Sequence, residues 1–316
     1  MRLAPKSRHL AIAAIVCFNS MPLWAHEAAS AKAAMRWSWE PWVVIPILGT
    51  ILLYSAGRIR MQRRSANRLS PWPAVSFAMG IAALVIALDS PVHTVGEQLF
   101  WVHMTQHELL MLVAAPLLVM AAPLVPFLWA LPRSWREWLG HASKTMIWSA
   151  TWIALSSAGA AWIIHAVALW VWHAPALFEA ALHSERIHAV QHLCFLGSAL
   201  LFWWTLIHGR HGRLGYGAAV VYVFTTAAHN SVLGALLTFA PRAWYPTYAG
   251  TTQLWSLSPL EDQQLGGLIM WVPAGVLLLV VGLALLAAWI GESQRRFEYT
   301  RMSALVKSAN GVADAR

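Results

Sequence analysis

The stretch "FWVHMTQHELLMLVAAP", Phe100–Pro116, places two histidines and a glutamate at the start of a long apolar run. The run continues past Pro116 and supplies the roughly 20 residues that a helix needs to cross a bilayer. His103 and His107 stand four residues apart, so both side chains lie on one face of a helix. Polar side chains inside a membrane are costly unless another group pairs with them. The stretch therefore predicts a membrane helix whose histidine pair has a partner.

The same arrangement recurs in "SERIHAVQHLCFLGSALLFWW", Ser184–Trp204, where His188 and His192 form the pair. Imidazole is the commonest side-chain metal ligand and suits copper, zinc, iron and nickel. Histidine pairs on two facing helices can complete one site inside a bundle. The two stretches together predict a metal site between two membrane helices.

The composition indicates a polytopic membrane protein. Of the 316 residues, 59% are hydrophobic and only 11% are charged, whereas a soluble domain carries about a quarter charged residues. The 20 tryptophans fit this class, because indole rings favour the membrane–water interface. The net charge of +9 lies in short loops between apolar runs, which predicts contact with lipid and argues against a nucleic-acid partner.

We predict an all-α fold, a bundle of seven transmembrane helices after an N-terminal signal peptide. The seven apolar runs are Trp42–Gly57, Trp72–Asp89, Phe100–Trp129, Ile147–Trp172, Ile187–Ile207, Tyr216–Phe239 and Leu265–Ile290. Prolines 116, 123 and 126 are expected to kink or end the helix of the third run, because proline lacks the backbone N–H.

The chain divides into three parts. Residues 1–25 have the basic start, apolar core and small-residue cleavage site of a signal peptide, which can also remain as an uncleaved anchor. Residues 26–290 form the membrane domain. Residues 291–316 form a charged cytoplasmic tail that we expect to be partly disordered.

Charge asymmetry predicts the topology. With the mature N-terminus outside, the inner segments hold fifteen Lys and Arg and the outer segments hold four. Basic residues accumulate on the cytoplasmic side of membrane proteins. We therefore expect a multi-pass protein of the bacterial inner membrane, with its N-terminus outside and its C-terminus in the cytoplasm.

Further candidate ligands lie in the outer half of the predicted bundle. They are His165, His173 and His229, with Met104 and Met270 as softer candidates for Cu(I). A single membrane histidine often only hydrogen-bonds a neighbouring helix, and a methionine there is more often plain packing. The histidines at 93 and 183 fall in outer loops, where we expect them to be solvated.

Two carboxylates are candidates for a supporting role. Glu108 follows His107 about 100° around the helix, so it can orient a histidine on a neighbouring helix. Asp89 ends the second run on the same side of the membrane. Each is equally compatible with a simpler role, an interfacial carboxylate for Glu108 and a turn residue for Asp89.

Four motifs in order resemble one family. They are "HMTQHELLMLVAAPLLVMAAP" (His103–Pro123), "WHAPALFEAALHSERIHAVQHLCFLGSALLFWW" (Trp172–Trp204), "GALLTFAPRAWYPTYA" (Gly234–Ala249) and "EDQQLGGLIMWVPAG" (Glu261–Gly275). Together they resemble the seven-span CtaG family of cytochrome c oxidase assembly proteins. They do not resemble the single-span copper chaperone of the same name, whose paired cysteines this chain lacks. The resemblance implies a role in maturing a haem–copper oxidase, with copper as the ion handled and oxidase subunits or other assembly factors as partners.

Three functions remain open on the sequence alone. The first is a non-enzymatic assembly factor that binds copper and passes it to an oxidase. The second is an electron carrier that holds b-type haem between histidines of facing helices. The third is a copper transporter, although the inner halves of the predicted helices carry few of the polar groups that transport requires.

Overall fold

A computed structural model describes residues 35–209 and 215–313, with side chains described up to residue 303. Within these ranges the chain forms twelve α-helices and no strand. They are α1 Pro41–Arg64, α2 Trp72–Leu88, α3 Pro91–Gly96, α4 Phe100–Met120, α5 Leu124–Ala130, α6 Arg133–Ala142, α7 Met146–Leu155, α8 Ala158–Trp172, α9 Pro175–Leu182, α10 Glu185–His208, α11 Gly215–Thr238 and α12 Pro259–Ala313. The predicted signal peptide lies outside the described residues.

Five of these helices are long and apolar enough to cross a membrane, namely α1, α4, α10, α11 and α12. Helices α7 and α8 meet at a bend of 63° and count as a sixth candidate if they form one span. Helix α2 is apolar but has only 17 residues. The described part of the chain is therefore an all-helical protein with five or six candidate spans.

The C-terminal tail, which we expected to be partly disordered, belongs to α12 as far as Ala313. Glu292 and Arg296, one turn apart, form an ion pair of 2.9 Å between Oε1 and Nε. Such pairs support an exposed helix, as do the Glu, Gln and Arg residues of this segment. Helix α12 therefore extends well beyond the last apolar residue of the predicted run.

The third apolar run does not form one continuous helix. Helix α4 ends at Met120, a short break follows, and α5 begins at Leu124. Pro123 lies directly before α5, and Ala122 has a positive φ of 45°. Proline cannot continue the preceding helix, so the predicted interruption of this run is confirmed.

Helix α4 lies at the centre of the bundle, and 67% of the residues in its most apolar 18-residue stretch are buried. It contacts α2, α10 and α12, whereas α1 lies at the edge and packs mainly on α5. A Cβ atom at Gly266 of α12 would lie 2.3 Å from the ring of Phe100, so α12 approaches α4 closely only because this residue is glycine.

The functional side chains gather at one end of the bundle, which we call the His end. Helices α2, α8 and α11 end there, while α4, α10 and α12 begin there. Hydrogen bonds join these termini, including Tyr245 Oη to the carbonyl of His173 at 2.8 Å. The buried aromatic rings of Phe100, Phe178 and Tyr248 fill the space between them.

Candidate metal centre

Three buried histidines from two helices converge at the His end. His103 of α4 and His188 and His192 of α10 each offer a ligand atom within 4.8 Å of the other two. The ring centroids of His188 and His192, one turn apart, lie 4.2 Å apart, and that of His103 lies 5.1 Å from His188. The His-x-x-x-His spacing thus aligns the pair on α10 towards α4. We call these three residues the His triad.

Two more histidines extend the His triad inward. The ring of His107 lies 4.4 Å from His103 and 5.4 Å from His192, measured between centroids. The ring of His173, at the C-terminal end of α8, lies 5.9 Å from His107. Five imidazoles from three helices therefore form one buried group.

The hydrogen bonds of His103 define its tautomer. The hydroxyl of Tyr248 lies 3.1 Å from the carbonyl of Gly96 and 3.2 Å from His103 Nδ1. Burial raises the pKa of Tyr248, so the hydroxyl keeps its single proton. A carbonyl can only accept, so Tyr248 donates to Gly96 and accepts from Nδ1–H. The Nε2 atom of His103 therefore carries the free lone pair that a metal ion requires.

His173 is held in the same tautomer. Its Nδ1 lies 2.6 Å from the carbonyl oxygen of Leu169, one turn back on α8. Since that oxygen can only accept, Nδ1 carries the proton and Nε2 carries the lone pair. His103 and His173 thus each present the lone pair of Nε2 to a metal ion.

The imidazole group contains six buried nitrogen atoms that have no hydrogen-bond partner. They are Nε2 of His103, His107, His173, His188 and His192, and Nδ1 of His107. A buried polar atom without a hydrogen bond costs about 1–3 kcal/mol. Coordination to an ion by several of these nitrogens removes that cost. The residues present therefore fit a metal ion held by neutral imidazoles.

Asp262 of α12 positions the start of α4. Its two carboxylate oxygens accept hydrogen bonds from the backbone N–H groups of Phe100 at 2.7 Å and Trp101 at 3.1 Å. The residue before the helix, Leu99, provides no side-chain cap. A carboxylate at a helix N-terminus accepts hydrogen bonds from free N–H groups, and its negative charge interacts favourably with the positive end of the helix dipole. Asp262 thus fixes the turn that carries His103.

A π-helical segment, Leu109–Ala114, follows directly after the histidines of α4. In it Ala115 N–H donates to the carbonyl of Leu110, five residues back. The corresponding partner of Met111 would be Pro116, which has no N–H. Trp203 of α10 supplies the missing donor, with Nε1 2.9 Å from the Met111 oxygen. A side chain from a neighbouring helix therefore satisfies the carbonyl that this π-helical segment leaves without a backbone partner.

Two other predicted ligands lie apart from the His triad. His165 of α8 and His229 of α11 line a small cavity deeper in the bundle, together with Glu108 of α4. Glu108 faces that cavity rather than the His triad, together with histidines of α8 and α11, so its role in orienting a histidine of a neighbouring helix stays a prediction. Its position on α4 explains this orientation, because successive helical residues point about 100° apart.

The remaining predicted residues surround the site without joining the imidazole group. Met104 and Met270 are fully buried in the apolar core, where Met104 packs beside Gly266. Asp89 ends α2 and is also buried, and its backbone oxygen accepts a hydrogen bond from Ser38 N–H at 2.8 Å. A supporting role for Asp89 remains a prediction.

The His triad also borders a large apolar groove. His192 lies in the wall of a groove of about 840 Å³, bounded mainly by α1, α2, α4 and α10. Of the groove's other lining residues, nearly all are apolar, for example Phe77, Leu118 and Leu196. One edge of the His triad therefore faces a space enclosed by spanning helices.

Comparison with known proteins identifies the family to which the chain belongs. Residues 52–292 match the model described as the cytochrome c oxidase caa3 assembly factor. The chain belongs to this family. The chain is 29% identical over 258 residues to uncharacterized protein ML1998 of Mycobacterium leprae (strain TN), covering 77% of this chain and 38% of that protein. It is 27% identical over 258 residues to uncharacterized protein MT0111 of Mycobacterium tuberculosis (strain CDC 1551 / Oshkosh), covering 77% of this chain and 37% of that protein.

The chain therefore spans about two-fifths of the length of these curated relatives. No solved structure matches it at a significant level. The family match covers every histidine of the His triad and both of the histidines that extend it.

Sequence reasoning missed one histidine beside the His triad. The expected solvation of His93 is wrong: its side chain is only 13% exposed and its ring stacks on His188 at 5.6 Å. Gln106 Nε2 donates to Ala87 O at 2.8 Å and lies 3.1 Å from His93 Nδ1, so it holds that ring over the site. His93 lies in the short helix α3, between two apolar runs of the sequence, so no spacing within a predicted membrane helix placed it here. His183, in contrast, is exposed as expected.

Proposed function

We propose that this assembly factor binds copper at the His triad and passes it to a haem–copper oxidase during assembly. The observation that carries the proposal is the convergence of three buried imidazoles, with ligand atoms within 4.8 Å, in a chain of an oxidase assembly family. Among divalent first-row ions, copper binds nitrogen ligands most tightly. In this proposal copper is cargo, and the protein catalyses no reaction.

The donor set suits an ion that must leave again. The His triad and its two neighbours offer neutral nitrogens and no thiolate, which is the ligand that holds copper most firmly. Phe178 and Phe195 line the group, with ring centroids 5.1 Å from His103 and 4.5 Å from His107. Such apolar walls exclude competing water ligands.

The proposed orientation places the His end at the outer face of the bacterial inner membrane. It is supported by the fifteen-to-four division of basic residues between the two sides. In this arrangement α2 is a short span and the bent pair α7–α8 is one span, which completes seven crossings. The partners would be oxidase subunits or other assembly factors that receive copper at this face, with lipid around the bundle.

Copper stoichiometry of the purified protein tests the proposal. We expect His192→Ala to bind about one copper ion fewer than the native chain, because one of only three converging ligands is removed. His183→Ala is the matched control, since this histidine is exposed and bonds only the carbonyl of Glu179. Equal copper in the native chain and His192→Ala would contradict the site.

The groove beside the His triad is the observation that favours haem as the second candidate. Its volume of about 840 Å³ lies within the range of cofactor pockets, and His192 lies in its wall. However, among the described residues that line the groove, His192 is the only histidine and there is no Lys or Arg to bind haem propionates. A visible absorption spectrum separates the two proposals, because b-type haem gives intense bands that bound copper lacks.

Transport of copper across the membrane has weaker support. Among the described residues, the buried His, Asp and Glu side chains all lie in the half of the bundle that contains the His end. A transporter needs polar groups through the full depth of the membrane. Delivery at one face agrees better with this distribution.

A further inference from the structure

The cavity beneath the His triad is lined by a second set of ligand-type side chains. Glu108, His165, His229 and Asn230 come from α4, α8 and α11 and surround a volume of about 20 Å³. Glu108 is eight residues from the start of α4, or about 12 Å along its axis. The rest of the lining is mainly apolar, including Leu169, Phe202 and Leu278.

Several polar atoms at this cavity have no partner. They are Glu108 Oε2, both ring nitrogens of His229 and Asn230 Oδ1, all buried from solvent. Glu108 itself is only 7% exposed. Leaving a carboxyl, an imidazole and an amide unsatisfied in an apolar interior is expensive, since each costs about 1–3 kcal/mol. A bound species in the cavity would satisfy them together.

The hydrogen bonds of His165 leave one of its ring nitrogens free to bind an ion at the same cavity. Ser198 Oγ lies 3.2 Å from the carbonyl of Phe195, which can only accept, so the hydroxyl donates there. It therefore accepts from His165 Nδ1, 3.1 Å away. The proton of His165 is thus on Nδ1, and its Nε2 lone pair is free at the cavity.

We infer that Glu108, His165 and His229 form a second metal site, which takes a divalent first-row transition-metal ion such as Zn²⁺ or Cu²⁺. Two imidazoles and one carboxylate are a donor set that such ions use. The carboxylate distinguishes this set from the neutral His triad, because a negative charge in a medium of low dielectric constant favours a doubly charged cation. The volume is enough for one water or one ion.

The ligand atoms of Glu108, His165 and His229 must move closer together to bind one ion. Among the described residues, only the His triad brings three such atoms within 4.8 Å of one another, so the second set is more widely spaced. His229 and the Glu108 Oε2 atom have no hydrogen bond to hold them, so rotation of these side chains breaks no hydrogen bond and changes only packing such as the edge contact of His229 with Trp162. This inference does not depend on the copper proposal, because it rests on different residues.

Equilibrium dialysis of the purified full chain against Zn²⁺, followed by metal analysis, tests the inference. With four-coordinate sites of this kind we expect about two Zn²⁺ per native chain, about one in Glu108→Gln, His229→Gln or His192→Ala, and about none in the Glu108→Gln/His192→Ala double variant. His183→Ala, at the exposed loop, is the control and should match the native chain. The two glutamine variants approximate the original side-chain size, and if one fails to accumulate the other decides.

Native stoichiometry in both glutamine variants would overturn the second site and leave the cavity to a water molecule. Native stoichiometry in His192→Ala alone would instead count against the His triad, so the two proposals fail separately. X-ray absorption of zinc in His192→Ala gives a direct check, because the remaining ion should show nitrogen and oxygen ligands at about 2.0–2.2 Å.

Discussion

At the scale of single residues, the imidazoles decide whether the protein handles metal. We predict that His107→Ala combined with His192→Ala leaves the protein in the membrane but lowers oxidase activity per assembly factor in copper-poor cells by about tenfold. Insertion depends on apolar length, which two histidines barely change. Oxidase activity normalised to membrane-bound protein is the measurement, with His183→Ala as control. Full activity at normal protein levels would make the two residues structural.

Asp89 gives a pH-dependent prediction at the same scale. Burial raises the pKa of Asp89 above its usual 3.8, although a hydrogen bond from Glu40 N–H and the nearby His93 oppose the shift. A raised folded-state pKa means that the folded chain holds this proton more tightly than the unfolded chain. The resulting stability is present below 3.8 and is lost as the pH rises through the folded-state pKa.

Asp89→Asn stays uncharged, so it should melt at a higher temperature than the native chain at neutral pH. The difference should shrink as the pH falls and vanish well below pH 3.8, where Asp89 is protonated in both the folded and the unfolded chain. Thermal unfolding of both proteins across this range is the check. A difference that is the same at every pH would show that the substitution acts through packing.

At the scale of elements, the π-helical segment of α4 depends on one side chain. Trp203→Phe removes the donor to the Met111 carbonyl and should lower the free energy of unfolding by about 1–3 kcal/mol. Trp204→Phe is the matched control, because its ring is only partly buried and stacks on His208. Unfolding of the purified protein in detergent measures both. Equal losses would mean that ring volume, rather than this hydrogen bond, stabilises the segment.

How far the sequence predicts these elements depends on the range of the interaction. The His-x-x-x-His spacing and the apolar runs are local, so they predicted the histidine faces of α4 and α10. Asp262 acts on Phe100 across 162 positions, and Tyr248 acts on His103 across 145. No periodicity records such partners. The separation of Glu108 from the His triad likewise depends on which helices surround α4, which a single sequence does not contain.

At the scale of the whole molecule, the prediction concerns orientation. Reporter fusions at Arg64, after α1, and at the C-terminus should both read cytoplasmic. The reason is that basic residues cluster at these ends of the helices, while the His end has few. A fusion at Ser184, in the loop before α10, should read periplasmic and serves as the control. A periplasmic signal at Arg64 would reverse the proposed face of the metal site.

The cap that Asp262 places on α4 has a consequence for how the protein is made. The ribosome synthesises the histidines of α4 and α10 well before it reaches position 262. Until then the N–H groups of Phe100 and Trp101 lack their carboxylate, and the first turn of α4 lacks the contact that holds His103 in place. The proposed metal centre is therefore completed only when α12 has been synthesised and has packed against α4. A chain released early would carry the histidines without their finished geometry.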